Sequence, residues 1–240
     1  MKQEQLLIWS YGIENLPKGV FETRFFDIYD TYDNIKHRFK NEKRWMFIAP
    51  GGSYNYTIYE QELPTNLYLV CNKKINNIQF DYCDATNSCE LKIVSDRLLH
   101  FIQKNGLIKG YDITSIKLVN KKNEILTDKK YYGLRFKYFD NDLFIHDNDL
   151  KINSCGNNIF TLYPNMRLKE TAKNRAFFVM KGVEYGKTLI FKSSIINEIL
   201  ENFYMPEIYT TSDYATIWWD RQKYPYGNNL QITPAKLFRK

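Results

Sequence analysis

The chain has 240 residues and a formal net charge of +7, a length that suits one large domain or two small ones. Its apolar run near the N-terminus, Leu6–Trp9, is too short for a signal-peptide core or a spanning helix. The lysine excess raises nucleic acid as a partner, but the basic residues are spread in pairs, and abundant Lys, Asn, Ile and Tyr are typical of an AT-rich genome. We therefore expect a soluble cytoplasmic protein with reduced cysteines, with neither membrane nor nucleic acid as a partner.

The N-terminal third reads as strands broken by turns. Aromatic content of 16% favours sheet, and alternating apolar residues mark each strand. The polar segment 30–43 is predicted to be a short helix or an exposed loop, and Pro50–Ser53 a turn. The predicted strands are Leu6–Trp9, Val20–Tyr29, Trp45–Ala49 and Tyr54–Tyr59, followed by Asn66–Cys71 and Lys74–Tyr82 as a strand pair.

A short unit then occurs twice: an apolar strand, a serine, a helix with a leucine/isoleucine stripe and a tyrosine-bearing extended stretch. The first copy begins at Leu91 and the second at Leu189. Ser95 is placed to cap the first helix, and Asn105–Gly106 to end it. At a constant offset of 98 the matched pairs are Leu91 with Leu189, Ile93 with Phe191, Ser95 with Ser193, Leu98 with Ile196, Phe101 with Ile199, Ile102 with Leu200, and Tyr111 with Tyr209.

These elements predict an α+β fold, mainly antiparallel sheet with few helices, carrying two similar strand–helix–strand units around residues 88–119 and 186–210. Further strands are expected at Tyr111–Val119, Tyr131–Tyr138 and Ile159–Tyr163. We expect a single compact domain over residues 1–240, or two fused lobes, a β-rich lobe at 1–85 and a repeat-containing lobe at 86–240. Because the repeated positions are core positions and a cap, the pattern favours a scaffold that presents a surface.

One cluster of acids is the sharpest sign of an enzyme. Asp140, Asp142 and His146, with Asp147 and Asp149, could hold a divalent metal in a hydrolase. The calcium-loop pattern fails at the required glycine and glutamate, and clustered Asp and Asn residues are common in solvated turns. The four cysteines have no zinc-site spacing. We therefore predict no metal, no cofactor and no catalytic residue.

The C-terminal stretch Ile217–Tyr226 is the best candidate for an interface. Charges lie between tryptophans and tyrosines, and aromatic residues with arginine dominate protein interfaces. Alternatively, Trp218 or Trp219 closes the core, although on a strand one of two adjacent side chains would face outward. The candidate interface residues are Trp218, Trp219, Asp220, Arg221, Tyr224 and Tyr226.

Three segments around the first repeated unit resemble a group of immunity proteins encoded beside bacterial polymorphic toxins, the immunity families numbered eleven and forty-three. The segments are Leu91–Leu99 (LKIVSDRLL), Gly110–Ile113 (GYDI) and Asp128–Tyr132 (DKKYY). Phe191–Ile195 is similar to a later element of the same group, so that the resemblance covers about residues 88–210.

The resemblance implies a non-enzymatic inhibitor without a cofactor. Such a protein binds a cognate toxin domain, expected from the adjacent upstream gene, and blocks its active site or the approach of its substrate. The basic charge favours a toxin that is not a nuclease, or one with an acidic face. The alternatives are a nucleic-acid-binding module that uses basic and aromatic residues, and a metal-dependent hydrolase centred on Asp140, Asp142 and His146.

Overall fold

A computed structural model describes residues 4–11, 26–42, 45, 62–72, 78–85, 91–106, 110–147, 150–153, 159–172, 174–181, 185–186 and 188–223. The helices are α1 (Asp96–Lys104), α2 (Ile196–Asn202) and α3 (Thr211–Lys223). The strands are β1 (Leu6–Ser10), β2 (Phe26–Tyr29), β3 (Thr31–Asp33), β4 (Arg38–Lys40), β5 (Asn66–Cys71), β6 (Tyr82–Ala85), β7 (Leu91–Ser95), β8 (Tyr111–Asn120), β9 (Tyr131–Phe136), β10 (Phe144–Asp147), β11 (Leu150–Asn153), β12 (Ile159–Leu162), β13 (Asn165–Leu168), β14 (Phe177–Phe178), β15 (Leu189–Lys192) and β16 (Glu207–Thr210).

The chain divides into two compact units that interleave along the sequence. The central unit comprises residues 15–103 and 109–138, and the terminal unit comprises residues 1–14, 104–108 and 139–240. In the terminal unit, β1 pairs with β15 and β16, which lie near the other end of the chain. Whether the protein behaves as one domain or two in solution stays a prediction.

The central unit is built on a six-stranded sheet of order β2-β5-β8-β9-β7-β6. Its pairs are antiparallel except β5 with β8. The predicted pairing of 66–71 with 74–82 is wrong: β5 lies between β2 and β8, and the next strand among the described residues begins at Tyr82 and pairs with β7. Residues 74–77 of that prediction lie outside the described residues. The physical reason is that β2 and β8 already occupy the two edges of β5, and the buried Leu67, Leu69 and Val70 anchor the strand inside the sheet.

Segment 30–43 contains a β-hairpin, where the sequence predicted a short helix or a loop. β3 and β4 pair antiparallel, with Tyr32 opposite Phe39. The sequence did not reveal this hairpin because the segment has few apolar residues, and its aromatic side chains pack against residues of other strands. The ring of Phe39 contacts Tyr29 and Tyr68 as well as Tyr32.

The terminal unit is built on a four-stranded antiparallel sheet of order β14-β15-β1-β16, with the two-stranded pairs β10–β13 and β11–β12. Its core joins apolar residues from these strands with Tyr209, Tyr214 and Ile217. The segment Thr211–Lys223 is a helix, so the treatment of Trp218 and Trp219 as strand neighbours is wrong. On a helix, consecutive side chains point about 100° apart rather than to opposite faces.

The two strand–helix–strand units are confirmed, and they share a topology. In the central unit α1 connects β7 to β8, which lie on either side of β9; in the terminal unit α2 connects β15 to β16, which lie on either side of β1. Each middle strand is antiparallel to both of its neighbours. β6 in the central unit and β14 in the terminal unit occupy equivalent outer positions, each antiparallel to the first strand of the repeated unit. The two units differ in where the middle strand comes from: β9 follows β8 in the sequence, whereas β1 comes from the N-terminal segment of the chain.

The constant offset of 98 holds only for the first strand of each copy. In the central sheet, Ile93, Gly133 and Thr114 lie in one row across three neighbouring strands. In the terminal sheet, the corresponding row contains Phe191, Leu7 and Thr210. The buried helix positions are Leu98, Leu99 and Ile102 in α1, against Ile195 and Ile199 in the second copy. The offset therefore shortens to 97 in the helix and 96 in the second strand. Tyr111 and Tyr209 are not equivalent, since Ile113 occupies the row position of Tyr209.

Together these sheets and short helices confirm the α+β class with mainly antiparallel sheet. Within the described ranges, no helix combines the length and the apolar character needed to cross a bilayer.

Candidate partner-binding surfaces

The predicted C-terminal interface begins on α3. Trp218 and Trp219 are partly buried and pack against the core of the terminal unit, and the Trp218 ring lies 6.4 Å from that of Tyr214. Asp220 and Arg221 belong to the same helix. The side chains of Asp220 and Arg221, and all of Tyr224 and Tyr226, lie outside the described residues. The alternative that a tryptophan helps to close the core therefore has support, and the interface assignment stays a prediction.

Asp140, the first residue of the predicted metal cluster, is engaged by arginine. The guanidinium of Arg175 donates to both carboxylate oxygens, at 2.8 and 2.9 Å, and the backbone N–H of Val179 donates to Oδ2 at 2.9 Å. Asp142 is exposed. The side chains of His146, Asp147 and Asp149 are not among those described, and the described residues contain no group of three potential metal ligands.

A second surface lies on the sheet of the central unit, where four aromatic residues form what we call the aromatic face: Tyr29, Tyr32, Phe39 and Tyr68. All four are only partly buried. The Phe39 ring centroid lies 4.7 Å from that of Tyr32, 5.4 Å from that of Tyr68 and 5.7 Å from that of Tyr29. Aromatic clusters that keep part of their surface in solvent are characteristic of protein interfaces.

Strand register explains how this face arises. Tyr29 on β2 is opposite Tyr68 on β5, which is aligned with Lys117 on β8, so the three side chains share one side of the sheet. The Lys117 ammonium lies 5.8 Å from the Tyr68 ring centroid, within reach of a cation–π contact. Burial, and secondarily Asp27, raises the pKa of Tyr29.

The β3–β4 hairpin beside this face is fixed by side-chain hydrogen bonds. Asp33 Oδ1 accepts the backbone N–H groups of Ile35 and Lys36, each at 3.0 Å. At the other end, Asp30 accepts the backbone N–H of Glu42 at 2.9 Å and the indole N–H of Trp45 at 3.1 Å. These bonds satisfy the turn locally, so the hairpin does not depend on long strands for its shape.

The tip of the hairpin carries one apolar side chain between charges. Ile35 is 91% exposed, and His37, two residues further on, adopts φ +46°, a left-handed conformation that histidine tolerates better than most residues. Lys36 and Arg38 are exposed. Lys40 is different, because it pairs with Glu42 at 2.6 Å and Asp33 at 3.6 Å.

The buried charges of the central unit are structural. Arg135, 1% exposed, donates to Asp112 at 2.7 Å and to the Trp45 carbonyl at 3.2 Å. Asp81 accepts Ser95 Oγ at 2.6 Å and Arg97 at 2.8 Å. Desolvation raises the pKa of the buried Tyr131 phenol, whose hydroxyl donates to the Phe80 carbonyl.

Sequence reasoning did not find the aromatic face or the hairpin tip. One signal was present: Asp33-Asn34 before a short polar loop, between segments containing Tyr32 and Phe39, is a turn pattern. This turn pattern could not show that Tyr29, Phe39 and Tyr68 come together, because they belong to three separate strands.

Comparison with known protein families bears on what such surfaces are for. The family model described as Immunity protein 43 matches residues 16–226, well over half of the chain. The chain belongs to the immunity protein 43 family. Membership in this family confirms the resemblance seen around the first repeated unit and supports an immunity function. No curated protein matches the chain.

Proposed function

We propose that this member of the immunity protein 43 family neutralises a cognate bacterial toxin domain by direct protein–protein contact in the cytoplasm of the producing cell. The toxin is expected to be encoded by the adjacent upstream gene, and the chain is expected to act without catalysis or a cofactor. Neutralisation of this kind requires tight binding, since nanomolar affinity corresponds to about −12 kcal/mol.

The family match across residues 16–226 carries this proposal. The geometry is compatible with it, because the described surface includes partly exposed aromatic rings and exposed apolar side chains such as that of Ile35, the residue types that protein interfaces use. Of the three residues that suggested a hydrolase, Asp140, Asp142 and His146, the first is paired with Arg175. The predicted C-terminal contact through Trp218, Trp219, Asp220, Arg221, Tyr224 and Tyr226 remains one surface to be tested.

Co-expression with the C-terminal domain encoded immediately upstream tests the function. We expect the full chain to restore growth to cells that express this domain, and the two proteins to co-elute on size exclusion. A matched control is a chain destabilised by Ile199→Ala, which removes a fully buried side chain at about 2–5 kcal/mol and should rescue less well. Absence of both rescue and complex would reject the proposal.

A further inference from the structure

We propose that the β3–β4 hairpin is a contact that this protein makes with its toxin. Ile35 enters an apolar pocket on the toxin, and Lys36 and Arg38 face carboxylates at the rim of that pocket. This inference rests on the proposed function, since it names the surface used and the chemistry of the partner face.

The exposure of Ile35 is the first reason. A single exposed apolar residue is ordinary on a protein surface, but Ile35 is 91% exposed at the tip of a turn whose backbone is fixed by Asp33. Burying such a side chain removes apolar area from water while little backbone freedom remains to be lost. The tip therefore has the two properties of an anchor, an apolar side chain and a preorganised backbone.

Charge is the second reason, and it defines the partner. Asp33, which lies opposite Arg38 in the strand register, and Glu42 are both paired with Lys40. That pairing raises the pKa of Lys40, mainly through the hydrogen bond with Glu42. Lys36 and Arg38, on either side of His37, form no ion pair with any residue that the structure describes. A partner complementary to this tip carries carboxylates around an apolar centre.

The aromatic face is the third reason, because it supports the hairpin and extends its contact surface. Phe39 on β4 packs against Tyr29 and Tyr68 on the six-stranded sheet. Tyr32, next to Phe39, is only partly buried. Rigid aromatic residues next to an anchor exclude water from an interface at low entropic cost. Lys117 over Tyr68 extends the positive charge onto this face.

Binding of purified full-length variants to the C-terminal domain encoded immediately upstream tests the inference. The test variants are Ile35→Asp and the double variant Lys36→Glu/Arg38→Glu. The matched control is Ile125→Asp, the same substitution at an isoleucine that is 70% exposed in the turn between β8 and β9 of the same unit. Thermal unfolding of each variant establishes that the fold is intact, as expected for side chains this exposed.

We expect Ile35→Asp to weaken binding at least ~30-fold, which at 1.4 kcal/mol per tenfold is about 2 kcal/mol. The double variant should lower the association rate about tenfold at low salt, an effect that fades as salt rises. Ile125→Asp should stay within about twofold of the parent protein, as expected of a surface substitution away from the contact. Unchanged affinity of Ile35→Asp, or an equal loss with Ile125→Asp, would overturn the hairpin contact while the proposed function stands.

Two other outcomes are equally decisive. If the parent protein does not bind the toxin domain at all, both the proposed function and this inference are rejected. If the parent protein instead binds duplex DNA or single-stranded RNA at low salt, and the double variant abolishes that binding, the hairpin is a nucleic-acid contact and the toxin-pocket assignment is overturned.

Discussion

The carboxylate of Asp140 and the guanidinium of Arg175 form a bidentate ion pair at 2.8 and 2.9 Å. The guanidinium carbon also lies 4.8 Å from the Phe178 ring centroid, and Nε donates to the Gly106 carbonyl at 3.2 Å. An aspartate that begins an acid-rich segment thus has a structural role, joining three segments of the terminal unit that are distant in sequence.

Replacement of Asp140 by asparagine should lower the free energy of unfolding by about 3 kcal/mol, because it leaves the largely buried Arg175 charge without its counter-ion. Denaturant titration measures the loss. The control is the variant with both Asp140→Asn and Arg175→Met, whose total loss should be smaller than the sum of the two single losses, as expected for residues in direct contact. Strict additivity would show that the two side chains do not interact.

Addition of excess Mg²⁺ or Mn²⁺ should leave the unfolding midpoint of the parent protein unchanged, since Asp140 is already neutralised by Arg175. A ligand that binds only the folded state raises that midpoint, so scanning calorimetry with and without metal is the measurement. A rise that disappears with Asp142→Ala would revive the hydrolase alternative.

Asp112 predicts a pH dependence for the central unit. Burial acts to raise its pKa, but hydrogen bonds from Lys137 at 2.6 Å and from Arg135 at 2.7 Å prevail and hold the pKa below its usual value of 3.8. A carboxyl whose pKa is lower in the folded state adds stability that is complete above the unfolded-state pKa and is lost as pH falls through the folded-state value.

The stability difference between the parent protein and Asp112→Asn should therefore be constant from about pH 7 to about pH 5 and shrink below about pH 4. Thermal unfolding across this range measures it. Since other carboxylates titrate equally in both proteins, the difference isolates Asp112. A difference that grows on acidification would contradict the sign of the pKa shift.

Ser95 and Ser193 begin corresponding helical segments but should respond differently to substitution by alanine. Ser95 Oγ accepts the backbone N–H of Leu98 at 3.2 Å and donates to Asp81. In the segment that begins at Ser193, the N-cap residues make no side-chain cap, and the backbone N–H of Ser194 donates instead to Glu4 Oε1 at 3.1 Å. Ser95→Ala should cost about 1–3 kcal/mol, and Ser193→Ala less than ~0.5 kcal/mol. Chemical denaturation of both variants measures this, and equal costs would show that the hydroxyl of Ser95 does not act as a cap.

Trp219 tests the interface predicted from sequence. If α3 contacts the toxin, Trp219→Ala should weaken the complex by about 2 kcal/mol or more, as truncation of an interface hot spot does. Because Trp219 also packs against the core, Trp219→Phe, which keeps an aromatic ring in that contact, is the control, and thermal unfolding is followed for both. Unchanged affinity in a folded Trp219→Ala protein would exclude this residue from the interface.

Local pattern was enough to identify much of the fold. The strand Leu91–Ser95, the cap at Ser95, the end of α1 before Gly106 (φ +84°) and the strand from Tyr111 were all predicted, and the structure confirms them. Each depends on alternation, helical periodicity or a capping residue, which act over a few residues. The second helix was also found, but its register slipped by one because a 3-10 turn at Ser193–Ile195 precedes it, and periodicity alone does not show that turn.

The sequence by itself therefore determined the strand–helix–strand units, the α+β class and, through motifs in and around the first repeat, the resemblance to immunity proteins. Only the tertiary structure decided that β1 lies between β15 and β16, that Arg175 engages Asp140, and that Phe39 joins Tyr29 and Tyr68 beside an exposed Ile35. The physical reason is range: secondary structure follows from neighbours along the chain, whereas strand pairing, ion-pair partners and exposed surface depend on residues that folding alone brings together.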